Sequence, residues 1–289
     1  MASLRLLATA LASTTLMAAA APADAASSYD GCTGFITTLP ATLTTQGVWC
    51  FQSDLATSQA SGPAITIAAN NITVDCNGFK LGGLAAGIGT TAVGIYADGR
   101  SNSTVRDCNI RGFYAGVQLG DENSSGHRVE GNRFEANTGL GVIVQSSGGL
   151  IRDNVLIDTG GTPITTFPYI VAIVAVDGVD VIGNQVAGVA AVEAAPNAAA
   201  IVLGAPVGVV AAGNRVSGLV SAIGGIPVGL AVEVGGTADI RDNSFVNAMP
   251  GLSVYCSGVQ FLHGNALMMG EPAPGCLDGG DNYGWEEPL

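Results

Sequence analysis

The sequence predicts an all-β fold, a solenoid of parallel strands with about eight coils and a cap at each end. One observation is a short motif, with an asparagine between two apolar residues, that recurs along the chain. A second is an apolar segment with strand-like alternation that precedes most copies of the motif by 12 to 16 residues. A fixed local motif at variable spacing is typical of solenoids whose coils carry loops of different length.

The motif reads apolar, two residues, asparagine, one residue, apolar. Its central positions lie 31, 24, 22, 30, 30, 29 and 22 residues apart, and Cys108 occupies one of them. Asparagine tolerates a left-handed backbone and bonds to nearby backbone groups, so it suits a sharp turn between strands. We expect these side chains to stack and to form hydrogen bonds between coils. The predicted asparagine ladder contains Asn77, Asn132, Asn154, Asn184, Asn214, Asn243 and Asn265.

The preceding segments each begin with a small residue and continue with alternating apolar positions. This is the pattern of a strand with one buried face. Because one coil cannot bury its inward face alone, the coils are expected to stack about 4.8 Å apart. Each buried aliphatic side chain then contributes roughly 1.5–3 kcal/mol. The predicted inward ladder contains Ile95, Val117, Val142, Ile173, Ile201, Leu230 and Leu252.

The two ends of the chain carry different signals. Arg5, an apolar stretch and an Ala-x-Ala site predict a cleaved secretory signal, and thus a secreted or periplasmic protein. Apart from it, no uninterrupted apolar run is long enough to predict a membrane span. The predicted organisation is a signal peptide at 1–25, an N-terminal cap at 26–60, the solenoid at 61–267, and a C-terminal cap with an acidic tail at 268–289.

The six cysteines fit an oxidising compartment and allow fifteen pairings. Pairing of neighbours in the chain predicts Cys32–Cys50 near the front and Cys256–Cys276 near the back. Cys76–Cys108 is then the third predicted disulfide. Zinc is the competing interpretation, but no Cys-x-x-Cys motif or Cys/His cluster supports it.

The formal net charge is −13. An acidic surface argues against nucleic acid and anionic membranes as partners. It also argues against a polyanionic substrate, unless a basic patch or a metal ion offsets the repulsion. The oligomeric state is left open by the sequence.

The motifs resemble the right-handed parallel β-helix superfamily, which includes pectate lyases and polygalacturonases, over about residues 60–270. The stretch at 65–83 is especially similar to the opening coil of such proteins. The resemblance implies a single-stranded right-handed parallel β-helix but matches no specific enzyme family. It also implies that substrates lie along the outward face of the first strand of each coil. We predict a polar binding face there that contains Tyr96, Gln118, Gln145, Glu233 and Tyr255, around an apolar middle of Ile143, Val174, Val176 and Val202.

One group of residues could carry chemistry. Asp98 and Arg100 follow the strand of one coil, Asp121 and Glu122 follow that of the next, and His127 lies in the same loop. Adjacent coils would bring Asp98 close to Asp121 or Glu122. Paired carboxylates can act as acid and base in glycoside hydrolysis, with the arginine or histidine assisting, or they can bind calcium. The alternative is that loops carry polar residues because they face water.

Three hypotheses about function follow. The first is a secreted β-helix that binds a carbohydrate or a cell-surface partner without catalysis, because the expected groove has an apolar middle and no Lys, Arg or His. The second is a polysaccharide lyase or glycoside hydrolase with the acidic site described above. The third is a structural or adhesive envelope protein that assembles through its apolar face. No cofactor is required by the sequence, although calcium is compatible with it.

Overall fold

A computed structural model describes residues 29–164, 169–193, 195–233, 236–247, 249–270 and 275–284. The predicted signal peptide at 1–25 lies outside the described residues. Within them the chain is a stack of short parallel strands with a single short 3-10 turn at Leu84–Ala86. No described helix is long and apolar enough to cross a membrane.

The strands are numbered in chain order. The first fourteen are β1 (Gly34–Ile36), β2 (Ala41–Leu43), β3 (Gly47–Phe51), β4 (Leu55–Ala56), β5 (Pro63–Ile67), β6 (Ile72–Asp75), β7 (Lys80–Gly82), β8 (Val93–Ala97), β9 (Thr104–Arg106), β10 (Asn109–Arg111), β11 (Ala115–Leu119), β12 (Arg128–Glu130), β13 (Arg133–Glu135) and β14 (Leu140–Arg152). The others are β15 (Val155–Gly160), β16 (Tyr169–Ile182), β17 (Gln185–Ala190), β18 (Asn197–Gly204), β19 (Val207–Ala212), β20 (Arg215–Val220), β21 (Val228–Glu233), β22 (Thr237–Arg241), β23 (Ser244–Val246), β24 (Leu252–Cys256), β25 (Gln260–His263), β26 (Ala266–Met268) and β27 (Cys276–Asp278).

These strands stack in three parallel columns. The first column contains β2, β5, β8, β11, the start of β14 and of β16, β18, β21 and β24. The second contains β1, β3, β6, β9, β12, the end of β14 and of β16, β19, β22, β25 and β27. The third is the nine-stranded sheet of β4, β7, β10, β13, β15, β17, β20, β23 and β26. The predicted all-β solenoid of parallel strands is therefore confirmed.

The core lies between the three columns. In the first column an unbroken ladder of fully buried aliphatic residues points inward: Ile65, Ile95, Val117, Val142, Ile173, Ile201, Leu230 and Val254. The prediction was wrong at the last rung, because Leu230 pairs with Val254 rather than with Leu252. Ser253, which precedes Val254, is fully buried. The alternating pattern allows this error, since a shift of two residues in register preserves the face.

The small residue that precedes each inward aliphatic residue also faces the core. A Cβ atom built on Gly116 would approach a ring carbon of Phe134 to 2.7 Å, and one on Gly229 would approach Phe245 to 2.5 Å. The phenylalanines of the third column therefore require glycine opposite them. Where the third column carries a valine, as at Val186, the first column carries Ala172.

The turn between the second and third columns contains a ladder of buried asparagines. Asn154 is representative: its Oδ1 accepts from the backbone nitrogen (2.9 Å) and Nδ2 (3.0 Å) of Asn132. Its own Nδ2 donates to the Val129 carbonyl at 2.9 Å and to Asn184 Oδ1 at 3.0 Å. Every donor and acceptor of the side-chain amide is thus used. The same bonds recur at Asn184, Asn214, Asn243 and Asn265.

The two ends of the predicted ladder need correction. Asn77 is outside the ladder. In the third column Lys80 pairs with Asn109, and the turn that leads to Lys80 is two residues longer than the turn that leads to Asn109. Asn77 instead donates to the Phe51 carbonyl at 3.1 Å. At the other end the ladder continues to Asn282, which accepts from Asn265. From the sequence, this residue was expected to belong to an acidic tail.

The ladder asparagines do not themselves adopt the left-handed backbone that we expected. The residue immediately before each asparagine does, and so does the residue before Cys108 at the head of the ladder. These residues are Asp107, Gly131, Asp153, Gly183, Gly213, Asp242, Gly264 and Asp281. Each aspartate but the last is followed in the next coil by a glycine. A Cβ on Gly183 would lie 2.7 Å from Asp153 Oδ1, so the carboxylate occupies the space that the glycine leaves empty. Two stacked aspartates would also repel each other.

All three predicted disulfides are present: Cys32–Cys50, Cys76–Cys108 and Cys256–Cys276. Cys108 also begins the asparagine ladder, since its backbone nitrogen donates to Asn132 Oδ1 at 3.0 Å. Three disulfides fit an oxidising environment. Strands β2, β3 and β4 lie inside the interval predicted as the N-terminal cap, and they already pair in parallel with the next coil.

Replacement of Asn184 by alanine is expected to lower the free energy of unfolding by about 3–5 kcal/mol. It leaves the Ile151 carbonyl and two N–H groups of Asn154 without partners, and each unpaired buried group costs roughly 1–3 kcal/mol. The matched control is Gln185→Ala at the exposed neighbouring position. Equal urea midpoints for the two variants would show that the ladder contributes nothing specific.

The disulfide at the head of the ladder can be replaced by one further rung. In the structure Asn132 Nδ2 donates to the Val105 carbonyl, and Val74 is the register partner of Val105 in the preceding coil. In Cys76→Ala/Cys108→Asn, the new amide could therefore donate to the Val74 carbonyl and to Asn132 Oδ1. We expect this variant to be about 1–2 kcal/mol more stable than Cys76→Ala/Cys108→Ala, as one or two net hydrogen bonds allow. Urea unfolding of both would measure it, and a less stable asparagine variant would contradict it.

Candidate functional site on the outer face of the first column

The outward residues of the first column form rows that cross the coils. One row runs through successive register partners: Tyr96, Gln118, Ile143, Val174, Val202, Ala231 and Tyr255. Beside it lie Gln145 and Glu233, which belong to a row of their own. The structure therefore places all five predicted binding-face residues on one surface, which we call the outer strip.

The centre of the outer strip is apolar and partly shielded from water. A hydrophobic cluster separate from the core is formed by Ala115, Leu140, Val171, Ala199, Val202, Val228 and Ala231. Ile143 and Val174 lie beside them and are half-buried. The Ile143 row was predicted from the sequence, but Leu140 and Val171 were missed, because they precede the inward residues of their strands by two positions.

Tyrosine is concentrated at the margins of the strip. Tyr96 and Tyr255 belong to its central row, and Tyr114 and Tyr169 pack against its apolar cluster. These are four of the six tyrosines in the chain. Tyr114 and Tyr169 were not predicted from the sequence, because each lies just outside the alternating segment that marks the strand.

The acidic end of the strip is organised around Tyr96. Burial raises the pKa of its hydroxyl, and so do the charge of Asp98, a hydrogen bond to Asp98 and the charge of Asp121. The structure thus brings Asp98 and Asp121 to one side chain, as expected for adjacent coils. Glu122 is exposed at the tip of the same loop.

The carboxylate of Asp121 is occupied by its own loop. Its Oδ1 accepts from the Ser124 hydroxyl at 2.8 Å and from the Asn123 backbone at 3.0 Å. These hydrogen bonds, the Ser124 bond first, lower the pKa of Asp121. The side chain is therefore ionised at neutral pH, which suits a hydrogen-bond acceptor and not a general acid.

His127 lies beneath the loop with no exposed surface. Its Nδ1 accepts from the Ser103 backbone nitrogen at 3.2 Å, whereas Nε2 has no hydrogen-bond partner of good geometry. Burial lowers the pKa of the imidazole, against smaller raising effects of the Ser103 and Arg100 backbone and of Asp121. The ring is neutral at pH 7 and is out of reach of a ligand on the strip. Arg100 is half-buried, and its Nε also has no partner.

Other charged residues lie on different faces. Asp75–Arg106 (2.8 Å) and Glu130–Arg152 (2.9 Å) are ion pairs on the second column, as expected for cross-strand contacts of structural origin. Burial raises the pKa of Asp107, but this residue lies in the turn between the second and third columns. In the described part of the chain, no group of three or more His, Cys, Asp or Glu side chains could hold a metal ion.

Comparison with known proteins agrees with this architecture. The family model described as "Right handed beta helix region" matches residues 42–186, half of the chain. The chain belongs to the right-handed β-helix family. The predicted handedness and single-stranded architecture of this β-helix protein are thereby confirmed. No curated protein matches its sequence.

Solved structures similar to this β-helix protein include tailspike mutants of E. coli bacteriophage HK620. One is 12% identical, with a TM-score of 0.49, and the match covers 86% of this chain and 56% of that one. Another, in complex with a pentasaccharide, is 11% identical, with a TM-score of 0.48 and coverages of 86% and 54%. This β-helix protein thus spans about half the length of the solved structures that it matches.

The buried His127 makes stability depend on pH. Because its folded pKa lies below its ordinary value of 6.5, the unfolded chain takes up the proton first as the pH falls. The stability contributed by the neutral ring is present above pH 6.5 and is lost as the pH falls toward the folded pKa. We expect the thermal midpoint to fall over this range in the native protein and to fall less in His127→Gln. The control is Gln185→Ala, at an exposed position without a titratable group, which should retain the native pH dependence.

Proposed function

We propose that this protein binds a neutral polysaccharide along the outer strip and does not cleave it. The observation that carries the proposal is the composition of the strip, with an apolar centre between tyrosines and a few polar side chains. A sugar ring has an apolar face of C–H groups and an edge of hydroxyls. Tyrosine offers the matching combination of a flat apolar ring and a hydroxyl, and ligand sites in general combine apolar lining with a few polar groups.

The polar side chains of the strip favour hydroxyl donors over anions. Gln118 lies next to Tyr96 in the central row, and Gln145 Nε2 donates to Asp177 Oδ2 at 3.2 Å at the edge. Asp98, Asp121 and Glu233 add carboxylates, while the net charge of the chain is −13. A uronate or sulfated chain would be repelled by this surface. The proposed ligand is therefore uncharged.

Catalysis is the second candidate, because Asp98 and Asp121 both influence the ionisation of Tyr96. A glycosidase needs one carboxyl that keeps its proton, in addition to a carboxylate that acts as base or nucleophile. The lowered pKa of Asp121 makes it unsuitable as the acid, and His127 is too deeply buried to replace it. These features support binding over hydrolysis.

We also propose that the protein works outside the cytoplasm, in the medium or the periplasm. The signal features within residues 1–25 and the three disulfides support this location. The mass of the exported protein would test the proposed cleavage near residue 25.

Loss of a strip tyrosine should weaken glycan binding about three- to tenfold, because an aromatic contact contributes about 0.5–1.5 kcal/mol. We expect this for Tyr96→Ala and for Tyr255→Ala, measured by calorimetry with a neutral glycan first selected on an array. The control is Tyr283→Ala, which removes a 70% exposed tyrosine beside the third column. An equal loss in the control, or no neutral glycan among the array hits, would contradict the proposal.

The same panel separates binding from catalysis. Each bound glycan is incubated with the protein, with and without calcium, and reducing ends and unsaturated products are measured. We expect no product under either condition. Product that disappears in Asp98→Asn/Asp121→Asn, while binding persists, would establish the enzymatic alternative.

A further inference from the structure

A small recess opens in the middle of the outer strip. It has a volume of about 90 Å³ and spans four neighbouring coils. Its floor and walls are aliphatic, and they consist of Leu140, Ile143, Val171, Val174 and Val202. Tyr169 and Glu233 complete the lining and are its polar members. The recess is too small for a sugar ring, so an occupant would be a substituent of a ring that lies above it.

The lining restricts the chemistry of that substituent. A hydroxymethyl group could form a hydrogen bond with Glu233 or Tyr169, but it has no methyl group to fill the aliphatic floor of the recess. A carboxylate or sulfate would face the Glu233 carboxylate. A purely aliphatic group would cover Glu233 without satisfying it. The recess fits a group with a methyl at its tip and, next to the methyl, one N–H donor and one carbonyl acceptor.

We propose that the recess is an acetamido subsite, which accepts the N-acetyl group of a 2-acetamido sugar in the bound glycan. The methyl contacts Val174 and Val202, the amide N–H donates to the Glu233 carboxylate, and the Tyr169 hydroxyl donates to the acetyl carbonyl. This inference rests on the proposed function and adds the class of sugar to it.

Two further observations agree with these roles. Burial raises the pKa of Tyr169, and the negative charges of Glu233 and of ionised Tyr255 raise it further. The Tyr169 hydroxyl therefore keeps the proton that it would donate. Glu233 has no salt-bridge partner among the described residues, and it is half-buried at the end of β21. Its carboxylate is therefore available to a donor from the ligand.

Three hexasaccharides with the same β-1,4 backbone provide the test: the N-acetylglucosamine oligomer, the glucose oligomer and the glucosamine oligomer. They differ in the substituent at C2, which is acetamido, hydroxyl or ammonium. We expect the acetamido oligomer to bind at least about tenfold more tightly than the glucose oligomer. Burial of one methyl and one hydrogen bond to a carboxylate together account for such a ratio. Its affinity should change little between low and high salt, whereas any binding of the ammonium oligomer should weaken.

Two variants connect the preference to the recess. Val174→Phe fills it and Glu233→Ala removes the acceptor, and each should lower the affinity for the acetamido oligomer to within about threefold of the glucose oligomer. The matched control for the first is Ile182→Phe, on the same strand β16 but on the outer face of the second column. Because Glu233 is half-buried at a strand end, its variant tests the proposal even if Val174→Phe fails to fold.

The outcomes distinguish this inference from the proposed function. Tight binding of the acetamido oligomer that both variants reduce and the control retains would support the subsite. If the three oligomers bind equally, or if other neutral glycans bind while the acetamido oligomer does not, the subsite is overturned and glycan binding stands. If no glycan on the array binds, both proposals fail together.

Discussion

Hydrogen bonds between stacked asparagine side chains link the second and third columns at every turn from Asn132 to Asn282. Each amide bonds to the backbone of the coil before it and donates to the asparagine of the coil after it, so the geometry of one coil sets the geometry of the next. The backbone alone cannot do this, because the N–H groups of a tight turn have no strand partner. The alignment of the inward aliphatic ladders follows from this repeated turn.

The outer strip is distinctive when it is compared with the second column. On the second column the outward residues form ion pairs such as Glu130–Arg152, and such exposed pairs are typical of a solvated sheet surface. The outward positions of the first column instead include valine, isoleucine and leucine that are largely removed from water. Regular β-helix packing does not require this second apolar face. Its combination with tyrosines and isolated carboxylates is why we assign binding to this face.

The regular part of the molecule could be predicted from the sequence because its causes are local. The spacing of Asn132, Asn154 and the following asparagines predicts both the columns and the turns. Asn77 was misassigned because an insertion of two residues preserves the motif but changes the pairing. Leu252 was misassigned because alternation does not distinguish positions that differ by two. The candidate site was less predictable, because the sequence does not show which of its side chains are buried.

The sequence brings His127 into a polar loop with Asp121, and a polar loop suggests exposure. In the structure the ring is buried. Its Nδ1 accepts from the Ser103 backbone nitrogen of the preceding coil, and the His127 backbone nitrogen donates to the Ser146 hydroxyl of the following coil. The recess is lined by residues from four coils, among them Leu140, Val202 and Glu233. Its shape therefore depends on contacts between residues about 30 positions apart.

The asparagine ladder also has a direction. In every rung the side-chain carbonyl faces the preceding coil and the nitrogen donates to the following one, so the amide dipoles point the same way and add along the solenoid. As in a helix, such alignment leaves partial positive charge at one end. The last amide nitrogen, on Asn282, meets the carboxylate of Asp278. The aspartate therefore neutralises the positive end of a column of dipoles, at the last rung of the ladder in the described part of the chain.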